Sequence, residues 1–228
     1  MSIFGVTNDK TGNLPSMPGI YPGYSAPIMR LGTGGRELAL VQWGLPSSKQ
    51  ALFKAAEKRA DRLRAKGKAV DFAELLRMEP DAGTTNVRNI ASKHWTRWLG
   101  VENRCVVPFN SFAEPNGKGS RPVWFAFDDS RPLACFAGVW VPQWTGVRTI
   151  KEGLVTRDLF GFLTTDPNAD VGAFHDKAMP VILTTPGEIE QWLTAPANEA
   201  LTLQRPLRDG SLKVVARDVG QDSRPEAA

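Results

Sequence analysis

The sequence is poor in the side chains that build metal centres and covalent frameworks. It has two cysteines and two histidines among 228 residues. Cys105 in RCVVPF and Cys135 in PLACFAGVW sit in apolar, strand-like runs with no paired spacing, so both read as buried thiols and a disulfide-stapled scaffold is excluded. The spacings of His94, Cys105, Cys135 and His175 fit no zinc module, so no metal and no cofactor is expected. There is no G-x-S-x-G elbow to support a serine hydrolase. No stretch approaches the ~20 apolar residues of a membrane span. The opening MSIFGVTNDK has neither the basic region nor the apolar run of a signal peptide. A cytoplasmic chain without a membrane partner is the expectation. No internal repeat and no linker divides it, and 42% apolar content is enough for one core.

Charge is present but unevenly placed. Of a net +4, residues 49–68 carry eight basic side chains against two acidic ones, which leaves the rest of the chain slightly acidic. Such a patch concentrates phosphate-bearing ligands by long-range attraction; a solvated helix face is the alternative.

Residues 1–35, rich in Gly, Pro and Asn, read as irregular. ELALVQWGL (37–45) reads as a strand stopped by Pro46. Ser47 or Ser48 then caps a helix whose Leu52, Ala56, Ala60 and Leu63 form one packing stripe and which Gly67 ends. Asp71 with Glu74 resembles a capping box for a second short helix. From Arg104 onward short apolar runs split by turn residues predict a mainly β half, followed by a helix at TPGEIEQWL and a last strand at SLKVVA. The predicted organisation is one domain over 1–217, with a basic helical insertion at 47–80 and a disordered tail at 218–228.

Three constellations could carry chemistry. TNVRNIASKHWTRW (85–98) interleaves Asn86, Arg88, Lys93, His94 and Arg97 with Trp95 and Trp98, the pattern by which rings stack on unpaired bases while cations meet phosphates. The tryptophans, at helical spacing, could equally anchor an amphipathic turn. In SFAEP (111–115), Glu114 ends an apolar run; partial burial would raise its pKa and suit it to moving protons, whereas an exposed turn glutamate would do nothing. In FHDKAMPVIL (174–183), His175 beside Asp176 could be oriented as an acid or base, or be a satisfied structural histidine.

Taken in order, WGLP (43–46), TNVRN (85–89), RCVVPFNSFAEP (104–115), FAGVW (136–140), GFLTTDPNA (161–169) and HDKAMPVIL (175–183) resemble the SOS response-associated peptidase (SRAP) family from about residue 17 to 217. TNVRN and HDKAMP are variants of the more usual N-A-R-S-E and H-D-R-M-P. The resemblance implies a single α+β domain, a mainly antiparallel, barrel-like β core with peripheral helices, acting as a monomer on abasic sites in single-stranded DNA during the DNA-damage response. In that family an N-terminal cysteine, exposed by methionine removal, forms an imine through its α-amine and then a thiazolidine through its thiol, and the same residues support autoproteolysis. Carried over by motif, Glu114 shuttles protons, His175 assists sugar ring opening and reversal, and Asn86 holds the N-terminal residue. Arg88 meets a phosphate and Trp43 packs near the lesion. The interleaved pattern of 85–98, apart from the resemblance, adds Trp95 and Arg97 to the expected DNA contact. The chain departs from the family at its start, Met1-Ser2-Ile3 instead of Met-Cys. The expectation is an upstream Met-Cys start; the alternative is a non-catalytic, single-stranded DNA-binding relative.

Overall fold

The computed structural model describes residues 5–117, 121–217 and 219–222. Its strands are β1 (Asn8–Asp9), β2 (Ser25–Gly32), β3 (Gly35–Trp43), β4 (Asn86–Val87), β5 (Arg104–Phe109), β6 (Phe112–Glu114), β7 (Val123–Ala126), β8 (Ala134–Val147), β9 (Leu154–Thr165), β10 (Met179–Pro180), β11 (Ile182–Leu183) and β12 (Lys213–Arg217). The helices are α1 (Lys49–Arg64), α2 (Phe72–Arg77), α3 (Lys93–Thr96), α4 (Ala169–Gly172), α5 (Pro186–Thr194) and α6 (Ala197–Ala200).

Strands β3, β2, β5, β8 and β9 are antiparallel neighbours in that order. Strand β9 returns to β3 in a short parallel pairing, Gln42 opposite Leu159 and Trp43 opposite Phe160. This closes a five-stranded barrel and removes the sheet edges that would otherwise invite association. The expected α+β barrel with peripheral helices is thus the observed fold. A small sheet, β12-β7-β6, stands beside it, while β4 and β10 pair with β9 and β11 pairs with β8.

Alternation along the strands separates two cores. The outer face carries Met29, Val106 and Val139, covered by Ile189, Trp192 and Leu193 of α5. Thr185 caps that helix by accepting from the Glu188 amide (3.1 Å), and Pro186 opens it. The fully buried Trp192 donates its indole N–H to the carbonyls of Cys105 (2.8 Å) and Gly138 (3.1 Å), fixing α5 across β5 and β8. The inner face carries Ile28, Ala39, Cys105, Phe136 and Phe160. At this radius there is no room for a side chain at Gly138, where a Cβ would stand 2.8 Å from the Cys105 sulfur and 3.0 Å from a Val107 methyl. Gly138→Ala is therefore expected to destabilise the domain by ~1–3 kcal/mol. Chemical denaturation should show the midpoint falling at unchanged slope.

One end of the barrel is plugged. Arg30 lies between Glu37 (2.8 Å) and Asp158 (3.1 Å), its guanidinium 3.8 Å from the Trp140 ring centroid. The Lys10 ammonium, joined by Arg30, holds the buried Glu37 carboxyl below the usual range against the opposing effect of burial. The opposite end, where β5 finishes at Phe109 and β3 at Trp43, is where the polar candidates gather.

Local signals in the sequence are met closely at α1. Ser48 accepts from the Ala51 amide (3.1 Å), Ala56 and Ala60 are buried, and Gly67 takes a positive φ of 69° just past the end. The capping box is half made, because Asp71 accepts from the Glu74 amide (3.2 Å) while the Glu74 carboxylate turns to Arg77 at 2.7 Å. Two expectations are corrected. The irregular opening does not reach residue 35, since β2 begins at Ser25; its Pro27 escapes the usual penalty because β5 pairs with β2 only at Met29 and Arg30. The tail is not wholly loose either. Within it Asp222 is buried against Arg131 (2.6 and 2.8 Å) and the Val219 carbonyl accepts from the Trp124 indole (3.1 Å), whereas 218 and 223–228 lie outside the described residues.

Candidate functional site

Glu114 is the last residue of β6, carried there by the buried Phe112 and paired across to Val123. Its side chain is 15% exposed. With no hydrogen-bond donor on the carboxyl among the described residues, burial pushes its pKa from 4.5 up to about 8. At neutral pH this group is mostly a neutral acid. It is neither the exposed turn glutamate nor an ordinary carboxylate.

His175 arrives from a different element. Asn168 caps α4 by accepting from the Val171 amide (3.1 Å), and the His175 amide closes the far end onto the Val171 carbonyl (2.8 Å). That turn sends Phe174 edge-on against Phe125 of β7 (5.8 Å between centroids) and brings His175 Nε2 to 3.8 Å from Glu114 Oε2. The distance is beyond a direct hydrogen bond and close enough for proton exchange through a shared group. The partner of His175 is thus Glu114, and not the neighbouring Asp176, whose side chain is exposed.

Asn86 lies on β4, which runs parallel to β9 with Asn86 opposite Phe162. It is exposed, and its amide has no hydrogen-bond partner among the described residues. Next to it the Thr85 carbonyl accepts from the Trp43 indole (3.0 Å), and the Trp43 ring packs on Phe162 (5.3 Å). Trp43 is therefore a partly buried wall whose polar edge is already used. Arg88 pairs with the exposed Asp166; Gln204 holds the Arg88 carbonyl (2.8 Å) to that of Thr164 (2.9 Å). A pair this open to water contributes little to stability, so the guanidinium can exchange it for an anion.

What joins these groups is a row of rings that the sequence reading did not anticipate. Trp43 meets Phe162 (5.3 Å), Phe162 meets Phe136 (4.8 Å), Phe136 meets Phe112 (5.8 Å), Phe112 meets Phe125 (5.6 Å), and Phe125 meets Phe174 (5.8 Å). Asn86 is beside one end of the row, and Glu114 and His175 are at the other.

A second omission is the clamp behind Asn86. Asp81, 2% exposed, accepts from the amides of Ser47 (2.9 Å) and Gly83 (2.8 Å). Arg148 donates to the carbonyls of Asp81 (2.9 Å) and Gly44. Together they tie the turn after Trp43 to the segment leading into β4. DAG at 81–83 reads only as a turn, so no local signal marks this role.

The structure does not join Trp95 and Arg97 to this group. Trp95 and Trp98 pack against the outer core, His94 Nε2 stands 3.0 Å from the Pro46 carbonyl, and Arg97 lies over Trp98 at 3.9 Å. The anchoring alternative describes the tryptophans, while Arg97 stays exposed. Cys105 and Cys135 are free and buried, and burial raises both thiols, Cys135 to about 12, so neither is a nucleophile at neutral pH. Among the described residues no group of three or more His, Cys, Asp or Glu side chains converges, and no helix is long and apolar enough to cross a membrane. The expected N-terminal chemistry belongs to an upstream Met-Cys start, and residues 1–4 lie outside the described residues. The described chain enters at the plugged end, where the Thr7 amide bonds the Arg36 carbonyl (2.9 Å). From there to Trp43 is seven residues of β3, roughly 24 Å of strand.

The family model described as SOS response associated peptidase (SRAP) matches residues 3–222. No curated protein matches the chain. Among solved structures, a protein from Bordetella bronchiseptica is 21% identical with a TM-score of 0.55, covering 93% of this chain and 90% of its own. One from Bacteroides thetaiotaomicron is 21% identical with a TM-score of 0.54, covering 84% and 72%. A phage-related protein from Bordetella bronchiseptica is 20% identical with a TM-score of 0.53, covering 88% and 83%. At these identities the likeness is one of fold.

Proposed function

Because this chain belongs to the SOS response associated peptidase (SRAP) family, whose members act in the response to DNA damage, we propose that its barrel mouth processes abasic sites in single-stranded DNA. The observation that carries this reading is the largely neutral Glu114 carboxyl 3.8 Å from His175. An abasic sugar exists as a closed ring that must open to an aldehyde, a step needing a proton moved from one oxygen to another. His175 serves that step. The α-amine of an N-terminal cysteine then adds to the aldehyde. Glu114 protonates the carbinolamine hydroxyl, which leaves as water, and the resulting carboxylate takes the nitrogen proton to give the imine. Addition of the thiol across the C=N bond, its proton passing to nitrogen, closes the thiazolidine. The same carboxyl would serve the self-cleavage that exposes the N-terminal amine. Asn86, whose side-chain amide has no partner among the described residues, holds the N-terminal residue; Arg88 takes the adjoining phosphate and Trp43 walls the lesion. The exposed Arg97 extends the contact along the strand.

The second reading is a binding protein that keeps the groove without the reaction. It is favoured by the burial of both cysteines. One assay separates the two. The chain as it stands and a form extended to begin Met-Cys are incubated with an abasic oligonucleotide and run under denaturing conditions. A resistant band from the extended form alone supports the chemistry at this mouth. Binding without a band from either form leaves only the second reading.

A further inference from the structure

Helix α1 carries a charge pattern that the barrel mouth does not use. Lys54, Lys58, Arg59 and Arg62 line an open groove of about 450 Å³ together with Ala51, Ala55 and Glu79. Glu79, its one acid, is already paired with Arg59 at 3.3 Å. Among the described residues Lys54, Lys58 and Arg62 make no hydrogen bond or ion pair. They recur every fourth position, so they form a single row rising ~6 Å per step, over a floor kept low by two alanines.

Stability does not account for this row. Like charges four residues apart cost an isolated helix ~0.2–0.5 kcal/mol per pair, and a merely solvated helix face gains by alternating signs instead. Here the acids of α1, Glu57 and Asp61, lie on the other flank of the Lys54–Lys58 ridge, in a second groove with Phe53 and Phe72, and Asp61 is paired with Arg64 at 3.2 Å. The charges are sorted sideways across the helix. The helix also starts six residues after Trp43, the wall of the mouth.

We propose that the groove between α1 and Glu79 is a second nucleic-acid site, a phosphate track for single-stranded DNA lying outside the mouth. It rests on the reading that the domain acts on DNA and is independent of the crosslinking chemistry. Lys54, Lys58 and Arg62 meet successive backbone phosphates as point charges and read no sequence.

The test uses undamaged single-stranded oligonucleotides, so that failure of the abasic reaction cannot decide it. Affinity of the full chain and of the Lys54→Ala/Lys58→Ala/Arg62→Ala variant is measured by anisotropy across a salt series. Loss of three phosphate contacts should lower affinity on the order of tenfold near physiological salt and make the log–log salt slope shallower by about 2. Alanine favours the helix, so the variant should retain its helical spectrum and melting temperature. The Lys54→Arg/Lys58→Arg variant should bind like the parent. Unchanged affinity and slope in the triple alanine variant would overturn the proposal and leave this face to an acidic protein partner. A separate arm gives parent and triple variant the Met-Cys start and uses a short abasic oligonucleotide confined to the mouth; equal crosslinking by the two is expected, and an equal loss there would contradict a second site.

Discussion

Glu114→Gln, made in the form that begins Met-Cys, should lower the rate of crosslinking to an abasic oligonucleotide by ~10²–10⁴-fold, the range supplied by a positioned acid or base. Affinity for the same oligonucleotide should barely change. Glutamine keeps the size and polarity of the neutral acid and loses only its proton. The pH profile should carry the signature. With the carboxyl protonated up to about 8, the parent rate declines as pH rises through that value, and the variant lacks this limb. Stability should move the opposite way from activity. A carboxyl raised from 4.5 to about 8 by folding binds more protons in the native state, so its contribution is full below about 4.5 and lost as pH rises towards about 8. Glu114→Gln is therefore expected to flatten the fall in stability over that window and to be the more stable protein at pH 8, by ~2–4 kcal/mol at most. A variant less stable than the parent at pH 8 would mean that the carboxylate is satisfied by a partner rather than held neutral by burial.

Asp81→Ala should be the most damaging single change away from the mouth. It leaves the amides of Ser47 and Gly83 without their acceptor and removes the carboxylate facing Arg148, which is 10% exposed at its side chain and 3.8 Å away. Removing one partner of a buried charged network costs ~3–5 kcal/mol. Thermal and chemical unfolding should report that loss. The consequence for function is specific, because the network ties the turn after Trp43 to the approach to Asn86. At a temperature where the variant is still folded, single-stranded DNA binding should weaken while the Glu114–His175 end stays intact. Wild-type affinity in a folded Asp81→Ala protein would show that Asn86 and Trp43 are positioned by other means.

The parts of this molecule that were legible beforehand are those whose cause is local. Ser48, the Leu52–Leu63 stripe and Gly67 define α1 within twenty residues of chain, and the helix formed accordingly. Glu114 and His175 stood out as polar residues bordering apolar runs, but their contact did not, since it joins β6 to the end of α4 across sixty-one residues. Asp176, adjacent in sequence, was the local guess; chain direction after α4 decided otherwise. β2 was hidden by Pro27, whose cost depends on which neighbour pairs where. Barrel closure rests on a short parallel pairing between β3 and β9 that leaves no periodic trace. Trp95 and Trp98 show the limit from the other side. Rings interleaved with cations fit both a stacking platform and a helix anchor, and only the outer core behind α3 distinguishes them.

The central claim is that this barrel mouth joins an N-terminal amine to an abasic site under the control of Glu114. Its most direct test is the intact mass and peptide map of the adduct formed by the Met-Cys form with an abasic oligonucleotide. The expected adduct is protein plus oligonucleotide less one water, carried on the N-terminal peptide and nearly absent from Glu114→Gln. A link carried instead by a lysine of α1, or an adduct formed equally well without the Glu114 carboxyl, would contradict it.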